Sequence, residues 1–595
     1  MPARLLLTVF LLASTSSSAW AQVSATPPPV RADSGMVVAA ERHAAEAGLD
    51  VLRAGGNAVD AAVATGFALA VTFPVAGNIG GGGFMVIRQP DGTATTFDYR
   101  ETAPAAATRD MFLDSTGVFV PERSQRGYLA SGVPGSVAGL LQAHERYGRL
   151  PLADVLAPAI RLAAEGFPLS RRQAARFTFY RPRFSSFEST TRYFVNTSTP
   201  DSSALSDSSF VENHRFVQAD LADVLRRIRD EGRDGFYRGE TADLIVEEMQ
   251  RGGGLITHED LANYRAVERE PVTGTYRGHR ILSMPPPSSG GVALVQLLRA
   301  IEPYDLRAMG FNASATIHLQ AEAMRRVYAD RAEWLGDPDF TPVPIDALTS
   351  VDYVRARMAD FNPYRADTSE TVTYGDPFAG ESAETTHYSV VDADGMAVST
   401  TTTLNGGYGS LVVVDGAGFF LNNEMDDFAA APGVPNMFGL VGSEANAVAP
   451  GKRMLSSMTP TIVEDPGGRL HMVIGSPGGA RIITTVFQVI LNTIDHGMDI
   501  QAAVAAPRVH HQWLPDVLFA EDRALAADVT TALQQRGWTV DQGRRWSRAD
   551  GIVVAYEEVE AVVDPSGLTN GEAATTRRVL LGGADPRGED VAVGY

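Results

Sequence analysis

The chain contains no cysteine. That removes disulfides, a thiolate nucleophile, a cysteine-ligated metal and a lipidated N-terminal cysteine. Long hydrophobic runs are missing too: the apolar stretch near the N-terminus is too short to span a bilayer, and nothing later reaches ~18 uninterrupted apolar residues. There is no basic block, and the formal net charge of -21 argues against nucleic acid or an anionic membrane as partner. Phosphate-binding loops are absent, since "GNIGGGGF" fits no G-x-G-x-x-G register and "PGKR" lacks the Ser/Thr of a Walker loop. "GSPGG" resembles a nucleophile elbow only loosely, because Pro477 fills the central position and Ser476 sits one place early. "HHQW" offers His510 and His511, but adjacent histidines on a strand face opposite ways and no third ligand is in view. Neither a metal nor a cofactor is expected.

What is present describes a globular protein. Its 595 residues exceed one ordinary core of about 100–200 residues, and 44% hydrophobic with 20% charged residues exclude a disordered chain. The N-terminus reads as an export signal: Arg4 is the positive region, Leu5 to Ala13 the apolar region, and Ala19-Trp20-Ala21 the small-x-small cleavage site. Residues 1–21 are therefore a signal peptide, and the mature chain starts near Gln22. Export without cysteine or a membrane anchor fits a bacterial periplasm or secretion.

Along the mature chain, Val37 to Thr72 reads as small-residue helix, broken at Gly55-Gly56-Asn57, with Asp60 in the first turn of the next helix. Strands follow in "GNIGGGGFMVIR" and in "TATTFDYRETAP", the second ending at Arg100. Residues 136–265 read mostly helical, interrupted by a Ser-rich loop at 196–209. "PPPSSGG" opens a helix, and residues 312–335 form a long helical pattern. Residues 366–384 turn polar and rich in Gly and Pro, which marks the best boundary in the chain. Beyond it, 385–392 and 396–405, then 411–414 and 419–421, read as two hairpins. Strands return around 459–464 and 470–475, then helices from Ala480 to Ala505. Layered sheets covered by helices are the expected architecture.

Taken singly, the chemistry-bearing residues read blandly. Thr385 is a strand start, Arg100 a strand-end salt bridge, "NNEMDDF" a solvated acidic turn, Ser456-Ser457 loop serines and Gly478-Gly479 a turn. Together they form an ordered set. "TTHYSVVDADGMAVSTTTTLN", "LNNEMDDF", "PGVPNMFGLVGSEANAV", "KRMLSSMTPTIV" and "GSPGGARIITTV" occur in the order and spacing of γ-glutamyltranspeptidases. In the first half "AGGNAVDAAVA", "FDYRETAP", "ASGVPGSVAGL", "SMPPPSSGG" and "YADRAEWLGDPDF" agree as well. The chain resembles that family from about Ala39 to its C-terminal "DPRGEDVAVGY".

The resemblance implies an α+β fold, the four-layer αββα sandwich of N-terminal-nucleophile hydrolases. It implies a precursor that cuts itself between Glu384 and Thr385 into a large subunit (22–384) and a small one (385–595), which stay together as a heterodimer. Thr385 would be the nucleophile. An N-terminal Thr carries its own base, an α-amine with an unperturbed pKa of about 7.7–8.0. By the same resemblance Thr403 orients the Thr385 hydroxyl, and the N–H groups of Gly478 and Gly479 form an oxyanion hole. Arg100, Ser456 and Ser457 take the substrate's α-carboxylate; Asn405, Glu424 and Asp427 take its α-ammonium. Residues 432–450 match a lid loop in which Phe438 stands where lidded bacterial members place Tyr. The implied activity is transfer of the γ-glutamyl group of glutathione, or a related donor, to water, amino acids or dipeptides. Two other readings stand beside it: a cephalosporin (glutaryl) acylase, whose substrate lacks the α-ammonium, and a non-catalytic periplasmic binding protein.

Overall fold

The computed structural model describes residues 26–195, 210–374, 386–430, 434–437, 439–440, 444–543, 545–559 and 575–595. The signal segment, the Ser-rich loop, Glu384, Thr385 and Phe438 lie outside the described residues.

Two antiparallel seven-stranded sheets stack face to face. The first runs, edge to edge, Val591–Gly594, Met36–Ala39, Thr386–Val391, Ala397–Thr403, Gly82–Arg88, Ala94–Asp98 and Val267–Arg269. The second runs Val30–Ala32, Thr575–Gly583, Asp550–Val559, Leu470–Gly475, Thr461–Glu464, His279–Ser283 and Val272–Tyr276. Val38, Val86, Val391, Ile462, Val473 and Ile552 meet between them in a buried apolar layer. Helices Arg42–Arg53 and Ala58–Thr72 belong to the apolar cluster on the outer face of the first sheet. Gly290–Ile301, Ser314–Trp334 and Arg481–Ile494 do the same for the second. The result is the expected four layers, αββα.

Local chemistry explains most boundaries. Asn57 caps helix Ala58–Thr72 and closes a capping box with Asp60, which fixes the break at Gly55-Gly56. The hairpin Thr386–Val391/Ala397–Thr403 and the pair Thr461–Glu464/Leu470–Gly475 fall where alternation and turn residues place them. Two expectations need correction. Met36–Ala39 is a strand rather than helix; all four residues are buried in mid-sheet, so no periodicity separates the two readings. Strand Ala94–Asp98 ends two residues before Arg100. Residues 411–421 turn back as the expected hairpin in minimal form: Val413 bridges Phe420 antiparallel, with Val414 N donating to Phe419 O and Leu421 N to Val412 O.

Candidate active site

The site gathers at one end of the sandwich, where several strands of the first sheet stop. Arg100 lies just past strand Ala94–Asp98, its N–H donating to Asp98 Oδ1 at 3.1 Å. Its side chain is fully buried, with Nε donating to Met454 O and Nη2 to Leu455 O, both at 3.1 Å. Nη1 stands 2.5 Å from Glu424 Oε2, and Nη2 2.5 Å from Asp427 Oδ2. One guanidinium thus holds two carboxylates in a planar fork.

The "NNEMDDF" segment that supplies them is not a solvated turn. Glu424–Asp427 is a 3₁₀ helix, and all four residues are buried. With three residues per turn, Glu424 and Asp427 eclipse on one side and both face Arg100. Asp426 points elsewhere, accepting from Ser124 Oγ at 2.5 Å and Met437 N at 3.1 Å. Asn422 fixes the segment by accepting from Glu424 N and donating to Gly80 O and Gly132 O.

Beside the acids sits Asn405, held in the left-handed region at φ 71°. Its Nδ2 donates to Asn423 O at 2.9 Å and its N–H to Thr403 Oγ1 at 2.7 Å. Its Oδ1 is buried and has no hydrogen-bond partner among the described residues, so one acceptor stays available near Glu424. Thr403 also hydrogen-bonds Glu424. Burial pushes the Glu424 carboxyl above the usual carboxylate range, opposed by the charge of Arg100 and by hydrogen bonds from its neighbours.

Ser456 and Ser457 follow Leu455 in the same loop. Ser456 N donates to Pro287 O at 2.8 Å, and its carbonyl accepts from Ser289 Oγ at 2.7 Å. Ser457 Oγ accepts from Arg331 Nη2 at 2.5 Å. Gly478 (φ 129°) and Gly479 (φ 63°) adopt backbone that side chains rarely tolerate. A Cβ on Gly478 would lie 1.9 Å from Ser547 Oγ. Their carbonyls accept from Arg481 and Ile482 at the start of helix Arg481–Ile494. Their N–H groups make no hydrogen bond to a described residue.

The fold therefore brings Arg100, Thr403, Asn405, Glu424 and Asp427 into one cluster, and Ser456 and Ser457 onto the loop that backs Arg100. The expectation assigned Arg100 and the acid pair to opposite ends of a substrate; here they bind each other. Glu384, Thr385 and Phe438 are outside the described residues, and Thr386 opens the strand that follows.

Sequence reasoning missed four supports. Glu101 is wholly buried with Oε2 3.8 Å from Arg100 Nη1, and neither of its oxygens has a hydrogen-bond partner among the described residues. Burial first, then the charge of Glu424, pushes its carboxyl well above the usual range. Arg331 holds Ser457. Asn446 donates to Asp427 O at 2.7 Å and accepts from Leu455 N at 3.2 Å, tying the acidic helix to the serine loop. His387 bridges Thr401 Oγ1 (2.9 Å) and Ser389 Oγ (3.0 Å), and burial drives its pKa down to about 3, so the ring is neutral. Each sits inside a motif quoted above, which was the available signal; only the fold shows which neighbours it serves. The histidines of "HHQW" are spent on structure: His510 contacts Thr484 and Gln512, and His511 contacts Asp516.

Residues 44–575 match the family model described as gamma-glutamyltranspeptidase. The glutathione hydrolase proenzyme of Escherichia coli (strain K12) is 45% identical over 569 residues, covering 95% of this chain and 93% of that protein. Among solved structures, cephalosporin acylase from Bacillus halodurans superimposes with a TM-score of 0.81 at 28% identity, covering 96% of this chain and 97% of that one. Helicobacter pylori gamma-glutamyltranspeptidase is 46% identical with a TM-score of 0.54, covering 57% of this chain and 95% of that chain.

Proposed function

Because the chain belongs to the gamma-glutamyltranspeptidase family, we propose that Thr385 is the nucleophile of an autoprocessed glutathione hydrolase and γ-glutamyltransferase. Maturation begins when Thr385 Oγ attacks the Glu384 carbonyl carbon. The peptide C–N bond breaks, an ester forms and the Thr385 α-amine is released. Water then hydrolyses the ester, leaving a Glu384 carboxylate and a free Thr385 hydroxyl.

In turnover that amine takes the hydroxyl proton while Oγ attacks the donor's γ-carbonyl carbon. Negative charge developing on the carbonyl oxygen is met by the N–H groups of Gly478 and Gly479, one such donor being worth ~3 kcal/mol. As the amide C–N bond breaks, the proton passes to the departing amine. Water, an amino acid or a dipeptide then attacks the γ-glutamyl ester, gives up its proton and restores the Thr385 hydroxyl. This chemistry calls on no cofactor.

The observation that carries the donor assignment is the buried fork of Arg100 on Glu424 and Asp427, beside the unsatisfied Asn405 Oδ1. A γ-glutamyl group ends in an α-carboxylate and an α-ammonium. Inserted here, its carboxylate takes Arg100 with the serine hydroxyls, and its ammonium takes Glu424, Asp427 and Asn405. One buried ion-pair system is exchanged for two, with no net charge added. A glutaryl donor supplies only the carboxylate and leaves the acids uncompensated, which disfavours the acylase reading. The test is hydrolysis of γ-glutamyl- against glutaryl-p-nitroanilide. Preference for the γ-glutamyl compound supports the assignment, and preference for the glutaryl compound removes it.

Residues 1–21 direct export to the periplasm or the medium; among the described residues no helix is long and apolar enough to cross a membrane.

A further inference from the structure

A cavity of about 280 Å³ lies against the proposed oxyanion turn, lined by Pro477 and Gly478 together with Gly407. Gly407 is two residues past Asn405, so the cavity touches the proposed oxyanion turn and the segment that carries one donor-site residue. Its remaining wall carries Arg176, Arg548 and Ser547 over the ring of Phe73.

These groups are arranged unusually for a plain surface cleft. The Arg176 and Arg548 guanidiniums each lie 5.2 Å from the centroid of the same Phe73 ring, so two like charges share one small region. Arg548 is engaged by Asp590 at 2.9 Å. Arg176 makes no ion pair or hydrogen bond with any described residue, and its Nη1 is buried without a partner. Burial lowers its pKa, with the charge of Arg548 adding to the effect. Ser547 is held in the left-handed region at φ 49°, and its buried Oγ has no hydrogen-bond partner among the described residues. A left-handed backbone that places an unpaired hydroxyl beside Gly478, in the same cavity as a guanidinium without an ion pair, towards which the Glu589 carboxylate contributes an opposing charge, matches an anionic ligand.

We infer that this cavity is the subsite for the amine side of the reaction, where Arg176 and Ser547 bind the free carboxylate of the acceptor amino acid or peptide. The inference rests on the γ-glutamyltransferase reading and deepens it. The donor half of the substrate is matched by Arg100, Glu424, Asp427 and Asn405. Across the scissile bond, the peptide part of glutathione ends in a carboxylate, and amino-acid and dipeptide acceptors carry one too. That charge calls for a cation near Gly478 other than Arg100, and Arg176, in the cavity that Gly478 lines, makes no ion pair with a described residue.

The experiment uses the purified, processed enzyme with γ-glutamyl-p-nitroanilide as donor and two acceptors, glycylglycine and glycylglycinamide, which differ only in the terminal carboxylate. The readout is the ratio of acceptor kcat/KM values within each protein, so any general loss in a variant cancels. The native chain is expected to favour glycylglycine by about tenfold or more, Arg176→Gln to bring the ratio close to one, and Arg176→Lys to keep part of it. A native ratio near one, or an unchanged ratio in Arg176→Gln, overturns the subsite while leaving donor chemistry intact. Failure of the native protein to release p-nitroaniline at all defeats the transferase reading and the subsite with it.

Discussion

Arg100 binds Glu424 and Asp427 through separate nitrogens of one guanidinium, so removing either acid breaks one of two buried ion pairs and takes away one proposed partner of the substrate ammonium. Breaking a buried pair typically costs ~3–5 kcal/mol, or roughly several hundred-fold in rate. Asp427→Asn is therefore expected to process normally and to lose about that much kcat/KM on γ-glutamyl-p-nitroanilide. Normal turnover would take Asp427 out of the ammonium site and return the acylase reading. Glu101 allows a different test. Its folded pKa is raised by burial, so the folded state holds a proton that the unfolded chain gives up in the ordinary carboxylate range, near 4.3. The unfolded chain then binds fewer protons, and stability falls as pH rises from that range towards the folded pKa. Glu101→Gln carries no such penalty. Its melting temperature should gain on the native chain between pH 4.5 and pH 8, and a constant difference would mean that Glu101 is ionised in the fold.

Elements place these residues, and they differ in how far the sequence disclosed them. Turn chemistry and capping mark helix Ala58–Thr72 and the hairpin Thr386–Val391/Ala397–Thr403 because their signals are local. Met36–Ala39 escapes because a strand buried on both faces has no alternation. The 3₁₀ turn Glu424–Asp427 escapes for another reason: three acids in four residues look solvated until Arg100, more than 300 positions away, pairs with two of them. The site residues were legible only as quoted motifs; their pairings, and the supports from Glu101, Asn446 and Arg331, depend on contacts that no spacing encodes. At the turn before helix Arg481–Ile494, Gly478 is constrained both by φ 129° and by Ser547. Gly478→Ala should lower kcat by about 100-fold, the usual effect of disturbing one oxyanion donor. A steady-state kcat within twofold of the native value would remove this turn from the oxyanion hole.

Over the whole molecule, the segments on either side of Thr385 are interleaved. Strand Thr386–Val391 pairs with Met36–Ala39, Ala397–Thr403 with Gly82–Arg88, and Thr461–Glu464 with His279–Ser283. A cut before Thr385 severs one connection and leaves five ladders, these three with Val30–Ala32 on Thr575–Gly583 and Met36–Ala39 on Val591–Gly594, and the shared core. The processed protein is expected to elute as one species in native size-exclusion chromatography, with both fragments in the same peak. Separate elution would mean that the ladders do not hold the halves together. The most direct measurement is intact mass spectrometry of the purified native chain and of Thr385→Ala. Two native fragments are expected, the second beginning at Thr385, and a single uncut, inactive chain for Thr385→Ala. The same two fragments from Thr385→Ala would contradict that expectation, because the cut would then owe nothing to the Thr385 hydroxyl.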